Sequence, residues 1–177
     1  MIYALDLSLS ATGWAISEGD GPVTFGTFPK SRWADDQRRG EIAAYVFSKI
    51  PDPPIIEPLV IIENFAFGAV NKAHDIGMLH GVIRYGLYRR GIPYLLVAPG
   101  QVKKFATGKG NSEKNLVIRA VFQRFGIEAD DDNAADAVTL LHIGKAISGL
   151  WEPTMDAQRE VVAQLKKENP RLKKEAF

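Results

Sequence analysis

The sequence predicts an α/β protein with a mixed central sheet, its first three strands antiparallel and the rest parallel, flanked by helices on both faces. Three observations lead there. Three short apolar runs, residues 2–9, 13–17 and 23–28, are joined by Gly-containing turns at 10–13 and 19–22, the pattern of a meander. Two later apolar runs, 59–62 and 92–97, alternate with longer segments. In those segments apolar residues recur at helical spacing.

In chain order, residues 31–50 read as a helix, with Trp33, Ala34, Ile42, Ala43, Val46, Phe47 and Ile50 on its apolar side. Asp52-Pro53-Pro54 breaks the chain, and Leu59-Val60-Ile61-Ile62 is a fully buried strand closed by Glu63. Residues 71–90 form a long helix carrying Ile76, Leu79, Ile83 and Leu87 on one side. Gly77 and Gly81, one turn apart, are expected to let another element approach closely. After the strand at 92–97, Pro99-Gly100 opens a short helix and 107–111 is a Gly-Lys loop. A helix over 112–125 takes Ser112 as N-cap and Glu113 in its first turn. Residues 130–147 make a final core helix. Beyond Trp151 an amphipathic helix at 155–165 precedes a charged tail, dividing the chain into a domain over 1–150 and a C-terminal helix and tail over 151–177.

The 177 residues suffice for one domain with a real core, and 46% hydrophobic against 24% charged residues is the balance of a globular chain. There is no apolar run of bilayer length and no basic-then-apolar leader at the start, so a cytoplasmic location is expected. The absence of cysteine fits a reducing compartment and excludes thiolate metal sites. A metal would be held by oxygen or imidazole, which points to a hard cation such as Mg²⁺ or Mn²⁺. A net charge of +1 argues neither for nor against nucleic acid.

Asp6 sits among Ile2, Ala4, Leu5 and Leu7, so its carboxylate is expected in or beside a buried sheet. Burying that charge without a partner costs several kcal/mol or more. A metal ion, a cation or a helix N-terminus must therefore hold it. Glu63 ends the second buried run, and Asp136 lies among Ala134, Ala135, Ala137 and Val138. Asp130, Asp131 and Asp132 also suit an acidic first helical turn, which the helix dipole favours. That explanation does not reach Asp136, a turn further in. Asp132 and Asp136 are four apart and share a face; Asn133 and Asp136, three apart, nearly do. A buried salt bridge would explain any one acid alone. Three together, with few interior cations to pair them, favour a shared metal site. Two divalent ions there would neutralise the repulsion, activate water and stabilise the leaving oxygen of a phosphodiester, with Asp6 bridging both.

Between Gly100 and Gly126 stand Lys103, Lys104, Lys109, Lys114, Arg119 and Arg124 against Glu113 alone. Gly108-Lys109-Gly110-Asn111-Ser112 offers backbone N–H groups and a helix start as a phosphate seat, although the Walker spacing is absent. A solvated helix face is the plain alternative. Phe65 and Phe67 follow Glu63; by alternation one is core and the other is free to wedge between bases. His74, His80 and His142 lack partners at metal-ligand spacing and read as packed or surface residues.

Asp6-Leu7-Ser8 with Thr12-Gly13, then Ile61-Ile62-Glu63, resembles the opening of RuvC-type Holliday junction resolvases. Pro99-Gly100-Gln101-Val102-Lys103-Lys104, Thr107-Gly108-Lys109-Gly110 and Ser112-Glu113-Lys114 resemble that family's DNA-binding segment, and Asp132-Asn133-Ala134-Ala135-Asp136-Ala137 its terminal acidic motif. The resemblance covers residues 1–148 and looks closer to the phage-borne branch. It implies a ribonuclease H-like fold, a homodimer built partly on the helix at 71–90, and paired nicks in four-way junctions dependent on two Mg²⁺ or Mn²⁺ ions.

By position, Asp6, Glu63 and Asp136 match catalytic, metal-holding acids. Lys103 and Lys114 match basic active-site and DNA-contacting residues, and Lys104, Lys109 and Phe67 join them as DNA-binding candidates. Cellular members usually carry Asp or His where Asn133 stands here, so either Asn133 is a neutral ligand or Asp132 takes over. The expected activity is a structure-selective endonuclease on branched DNA that leaves 5′-phosphate and 3′-hydroxyl ends. The rivals are a ribonuclease H-fold nuclease of structured RNA and a junction-binding protein without nuclease activity. An actin-like ATPase would need a second phosphate loop and a longer chain.

Overall fold

The computed structural model describes residues 1–28, 35–51, 58–65 and 73–170. The expectations at Trp33, Ala34, Asp52-Pro53-Pro54, Phe67, residues 71–72 and residues 171–177 of the charged tail lie outside them; the start of that tail, expected at Lys166, is still helical through Glu168. The elements run β1 (Ile2–Asp6), β2 (Thr12–Ser17), β3 (Thr24–Phe28), α1 (Asp35–Lys49), β4 (Leu59–Glu63), α2 (Ala73–Arg89) and β5 (Tyr94–Val97). Four helices follow: α3 (Pro99–Thr107), α4 (Lys114–Phe125), α5 (Asp132–Ile147) and α6 (Asp156–Glu168). No helix among the described residues is long and apolar enough to cross a membrane.

The sheet order is β3-β2-β1-β4-β5, with β1 antiparallel to β2, β2 antiparallel to β3, and β4 parallel to both β1 and β5. The mixed sheet expected from the sequence is therefore observed. Side chains alternate between its faces. Ile2, Ala4, Leu59, Ile61, Leu95 and Val97 point into a core shared with α3, α4, α5 and α6. Tyr3, Leu5, Val60 and Ile62 point into a second core with α1 and α2. By the same alternation Asp6 and Glu63 fall on the α5 side.

β1 ends at Asp6, earlier than its apolar run suggests. Thr12 Oγ1 donates to the Ser8 carbonyl at 2.7 Å and accepts from the Ser8 N–H at 3.2 Å, which turns the chain before Leu9 can extend the strand. α4 also begins later than expected. Ser112 is not its N-cap; its hydroxyl bonds Thr107 Oγ1 at 2.7 Å and donates to the Lys109 carbonyl at 3.0 Å. Glu113 takes the cap position without a side-chain bond.

α5 is buried at every residue from Ala134 to Ile147 except Asp136, as a helix apolar on most of its faces is expected to be. Its N-cap, Asp131, accepts from the Ala134 N–H at 2.8 Å. The helix is seated on β2 through Gly13. A Cβ built there would stand 2.5 Å from the Asn133 carbonyl carbon, deep inside van der Waals contact with backbone.

The glycines of α2 behave otherwise than expected. Gly81 has nothing within 4 Å and Gly77 meets only the Phe65 ring edge at 3.8 Å. Gly86 is the close contact, where a Cβ would meet the Phe47 ring at 2.6 Å. The spacing of Gly77 and Gly81 resembled a packing notch, but the approach to α1 lies further along.

The Gly13 seat admits no methyl group, so Gly13→Ala is expected to lower unfolding free energy by about 3 kcal/mol in urea titration. Gly40, in α1 with open space around it, serves as the contrast. Gly40→Ala is expected to raise stability by up to about 1 kcal/mol, through helix propensity alone.

Candidate metal centre and nucleic-acid interface

β1 and β4 are parallel neighbours in a register that pairs Leu5 with Ile62. The next residues, Asp6 and Glu63, thus end adjacent strands side by side, about one strand spacing (~4.8 Å) apart. Asp6 is also the antiparallel partner of Gly13, on which the first turn of α5 rests. One turn along α5, Asp136 meets both acids. One oxygen from each of Asp6, Glu63 and Asp136 lies within 4.8 Å of the other two, the one such acidic group among the described residues.

Burial is the first cause that pushes the Asp6 carboxyl upward, followed by the charges of Asp136 and Asp132; Lys114 opposes them. Glu63 is likewise raised by burial first, then by Asp6 and Asp136, with Lys103 and Lys114 opposing. Asp136 is pushed up to about 6 by burial and by Asp132, again against Lys103 and Lys114. The three carboxylates therefore lack sufficient positive charge.

Among the described residues three buried cations exist, more than the sequence suggested, but they are engaged elsewhere. Arg38 Nε donates to the Leu9 carbonyl, Arg39 bonds Asp36, and Lys145 Nζ donates to the Gly21 carbonyl. Glu63 Oε2 is buried with no hydrogen-bond partner among the described residues. An all-oxygen set with an unsatisfied carboxylate oxygen fits a hard divalent cation.

The remaining candidates divide. Asp132 opens α5 but pairs with Lys114 Nζ, while Asn133 places its backbone against Gly13. Lys103 lies on α3 and Lys114 at the start of α4, and both act electrostatically on Glu63 and Asp136. A hydrogen bond to Asp132 is the main cause that raises Lys114. Lys104 turns to α6, where its Nζ bonds Glu160 at 2.6 Å. Lys109 is exposed on the loop.

That loop differs from the phosphate seat read in the sequence, because two of its amides are already engaged. The Gly108 N–H donates to the Lys104 carbonyl, and the Lys109 N–H to Thr107 Oγ1. Phe65 packs against His80, their ring centroids 4.9 Å apart. His142 stacks on Phe125 at 3.8 Å, and His74 is exposed. None of the three histidines belongs to the acidic group.

Sequence reasoning missed Gly13 as the seat of α5 and Thr27 as a partner of Asp131. Thr27 Oγ1 reaches both Asp131 carboxylate oxygens, at 3.0 and 2.9 Å. An Asp three residues before Ala134 is a legible N-cap signal. Nothing in the chain pattern points to Thr27.

Raised carboxyl values make the metal-free fold bind more protons than the unfolded chain, so its stability falls as pH rises. The contribution is fully present below the unfolded carboxyl value of about 4. It is lost as pH climbs through the Asp136 value of about 6 and on through the further-raised Asp6 and Glu63. In chelator, melting temperature is expected to drop between pH 5 and 9. Asp6→Asn should flatten that slope and raise the melting temperature at alkaline pH, both read by a thermal melt series.

No protein-family model matches the chain. Among curated proteins it is 30% identical over 106 residues to the crossover junction endodeoxyribonuclease RuvC of Gloeobacter violaceus, covering 59% of this chain and 58% of that one. The RuvC of Pseudarthrobacter chlorophenolicus is 34% identical over 99 residues, covering 52% of each chain. That of Protochlamydia amoebophila is 29% identical over 152 residues, 79% of this chain and 87% of the relative. The match thus spans little more than half the length of the first two.

In fold, the chain is similar to Thermus thermophilus RuvC, with TM-score 0.61 and 22% identity over 84% of this chain and 96% of that one. The same protein in complex with a Holliday junction substrate gives TM-score 0.60 and 20% identity, over 79% and 89%. The sheet order and the helices on its two faces are those of a ribonuclease H-like fold. In sequence the chain is thus similar to RuvC proteins named as crossover junction endodeoxyribonucleases, and in fold it is similar to Thermus thermophilus RuvC.

Proposed function

We propose that the protein is a metal-dependent, structure-selective endonuclease that resolves four-way DNA junctions by paired phosphodiester hydrolysis, acting on DNA in the cytoplasm. The observation that carries this reading is the trio of Asp6, Glu63 and Asp136 within 4.8 Å, faced by Lys103 and Lys114. The relatives named as crossover junction endodeoxyribonucleases support the choice of substrate.

In this reading Asp6, Glu63 and Asp136 hold two divalent ions, Mg²⁺ or Mn²⁺. Those ions supply an ionised water near neutral pH and charge stabilisation at the leaving oxygen. Asp6 and Glu63, fixed by the sheet, set the positions of the carboxylates; Asp136, on α5, closes the third side. Lys103 and Lys114 neutralise the scissile and flanking phosphates, and Lys109 meets the backbone further along the arm. Phe67 is the wedge at the branch, and Lys104 joins the DNA contacts only by giving up its ion pair with Glu160. The products carry 5′-phosphate and 3′-hydroxyl ends.

Two cuts at symmetric positions require two sites, which a homodimer provides. The exposed Val82, Tyr85 and Tyr88 of α2 support a dimer contact on that helix. Asp132 alternates in this scheme between Lys114 and the cation site, with Asn133 the neutral alternative beside it.

The test is cleavage of labelled four-way, flap and linear DNA with Mg²⁺, Mn²⁺ or chelator, alongside structured RNA. Wild-type protein is expected to cut the four-way junction only with metal, and Asp6→Asn to abolish cutting while binding persists. Cleavage that survives Asp6→Asn would sink the assignment. In the same assay Lys103→Ala with Lys114→Ala should weaken binding and make the log-log salt slope shallower by about 2, two phosphate contacts' worth.

A further inference from the structure

The run Asp130-Asp131-Asp132 precedes the acid that completes the trio, and its members have different surroundings. Asp132 pairs with Lys114. Asp131 is held by two donors, although its charge still reaches Asp6: both of its oxygens share the Thr27 hydroxyl at 3.0 and 2.9 Å, and Oδ1 also accepts the Ala134 N–H at 2.8 Å. Thr27 lies on β3, the edge strand, where it pairs with Gly13 of β2. One strand register therefore connects Thr27, Gly13 and Asp6 in a row across the sheet. The first turn of α5 is gripped at two places along that row, by the Gly13 seat against Asn133 and by Thr27 on Asp131.

We infer that Thr27 and Asp131 form a positioning clasp that sets where α5 begins and thereby holds Asp136 against Asp6 and Glu63. Asp131 is by this assignment a helix cap and not a ligand, and Thr27 is what keeps it so. Asp136 is five residues along a rigid helix from the capped position, so freeing the cap moves the third carboxylate relative to two that the sheet fixes. Thr27 touches neither substrate nor the reacting atoms; it acts through Asp131. The clasp rests on the proposed role of Asp136, so its test must also read something other than DNA cleavage.

The variants are Thr27→Val, which keeps the β-branched shape and removes the donor, and Thr27→Ser, which restores the hydroxyl. Three readouts are taken: amide exchange of residues 132–136 in chelator, Mn²⁺ affinity from the free-ion resonance signal, and kcat against KM on a four-way junction. Thr27→Val is expected to speed amide exchange at 132–136, weaken Mn²⁺ binding about tenfold and lower kcat with KM unchanged. Thr27→Ser is expected to restore all three.

Wild-type exchange and Mn²⁺ affinity in Thr27→Val would overturn the clasp, as would losses that Thr27→Ser fails to restore. Should Thr27→Val fold poorly, Asp131→Asn is compared with Asp131→Ala, because Asn still caps and still accepts from Thr27. Only the Ala variant is then expected to lose Mn²⁺ affinity, and equal affinities would overturn the clasp. If wild-type protein cuts no junction, the functional reading fails while exchange and Mn²⁺ affinity still judge the clasp.

Discussion

The contact between Gly13 of β2 and the backbone of Asn133 sets how close α5 comes to the sheet, and the acidic group depends on that distance. β1 and β4 can bring Asp6 and Glu63 together by register alone, because parallel neighbours that end at the same level place their last side chains side by side. Asp136 belongs to a different layer. It joins them only because the helix approaches to a spacing that no Cβ at residue 13 would permit. The cores on the two sides of the sheet support this geometry: α5 is buried from Ala137 to Ile147, and α3, α4 and α6 pack around it.

Bringing three carboxylates together opposes folding, and the protein compensates only in part. Lys103 and Lys114 lower the carboxyl values without cancelling burial, and Lys114 is itself paired with Asp132. The buried cations, Arg38, Arg39 and Lys145, sit with other partners. A site with excess negative charge and an unsatisfied carboxylate oxygen is stable when a hard cation supplies what the side chains do not. The same deficit makes cation binding and fold stability linked quantities.

Much of this was legible in the chain. The apolar run around Asp6 marked a buried strand, though not that it ends there, the run before Glu63 marked a strand end, and the alanine-rich surroundings of Asp136 marked a buried helix. Sequence periodicity reports which face a residue takes, so it reached the layers and the three acids. It does not report distances between elements. Gly13 was therefore visible only as a turn residue, and Gly77 and Gly81 were mistaken for the contact that Gly86 makes. Hydroxyl partners were equally hidden: Ser112 looked like a cap, yet Thr107 and the Lys109 carbonyl hold it. The Asp131–Thr27 bond spans 104 residues, a separation across which no local pattern carries information.

An anomalous difference map from a crystal soaked in Mn²⁺ tests most directly that these three carboxylates form the cation site. A peak bounded by Asp6, Glu63 and Asp136 is expected, with Asp131 still on Thr27. A structure of the soaked protein with no peak among those residues, or with its peak at Asp130–Asp132 instead, would contradict it.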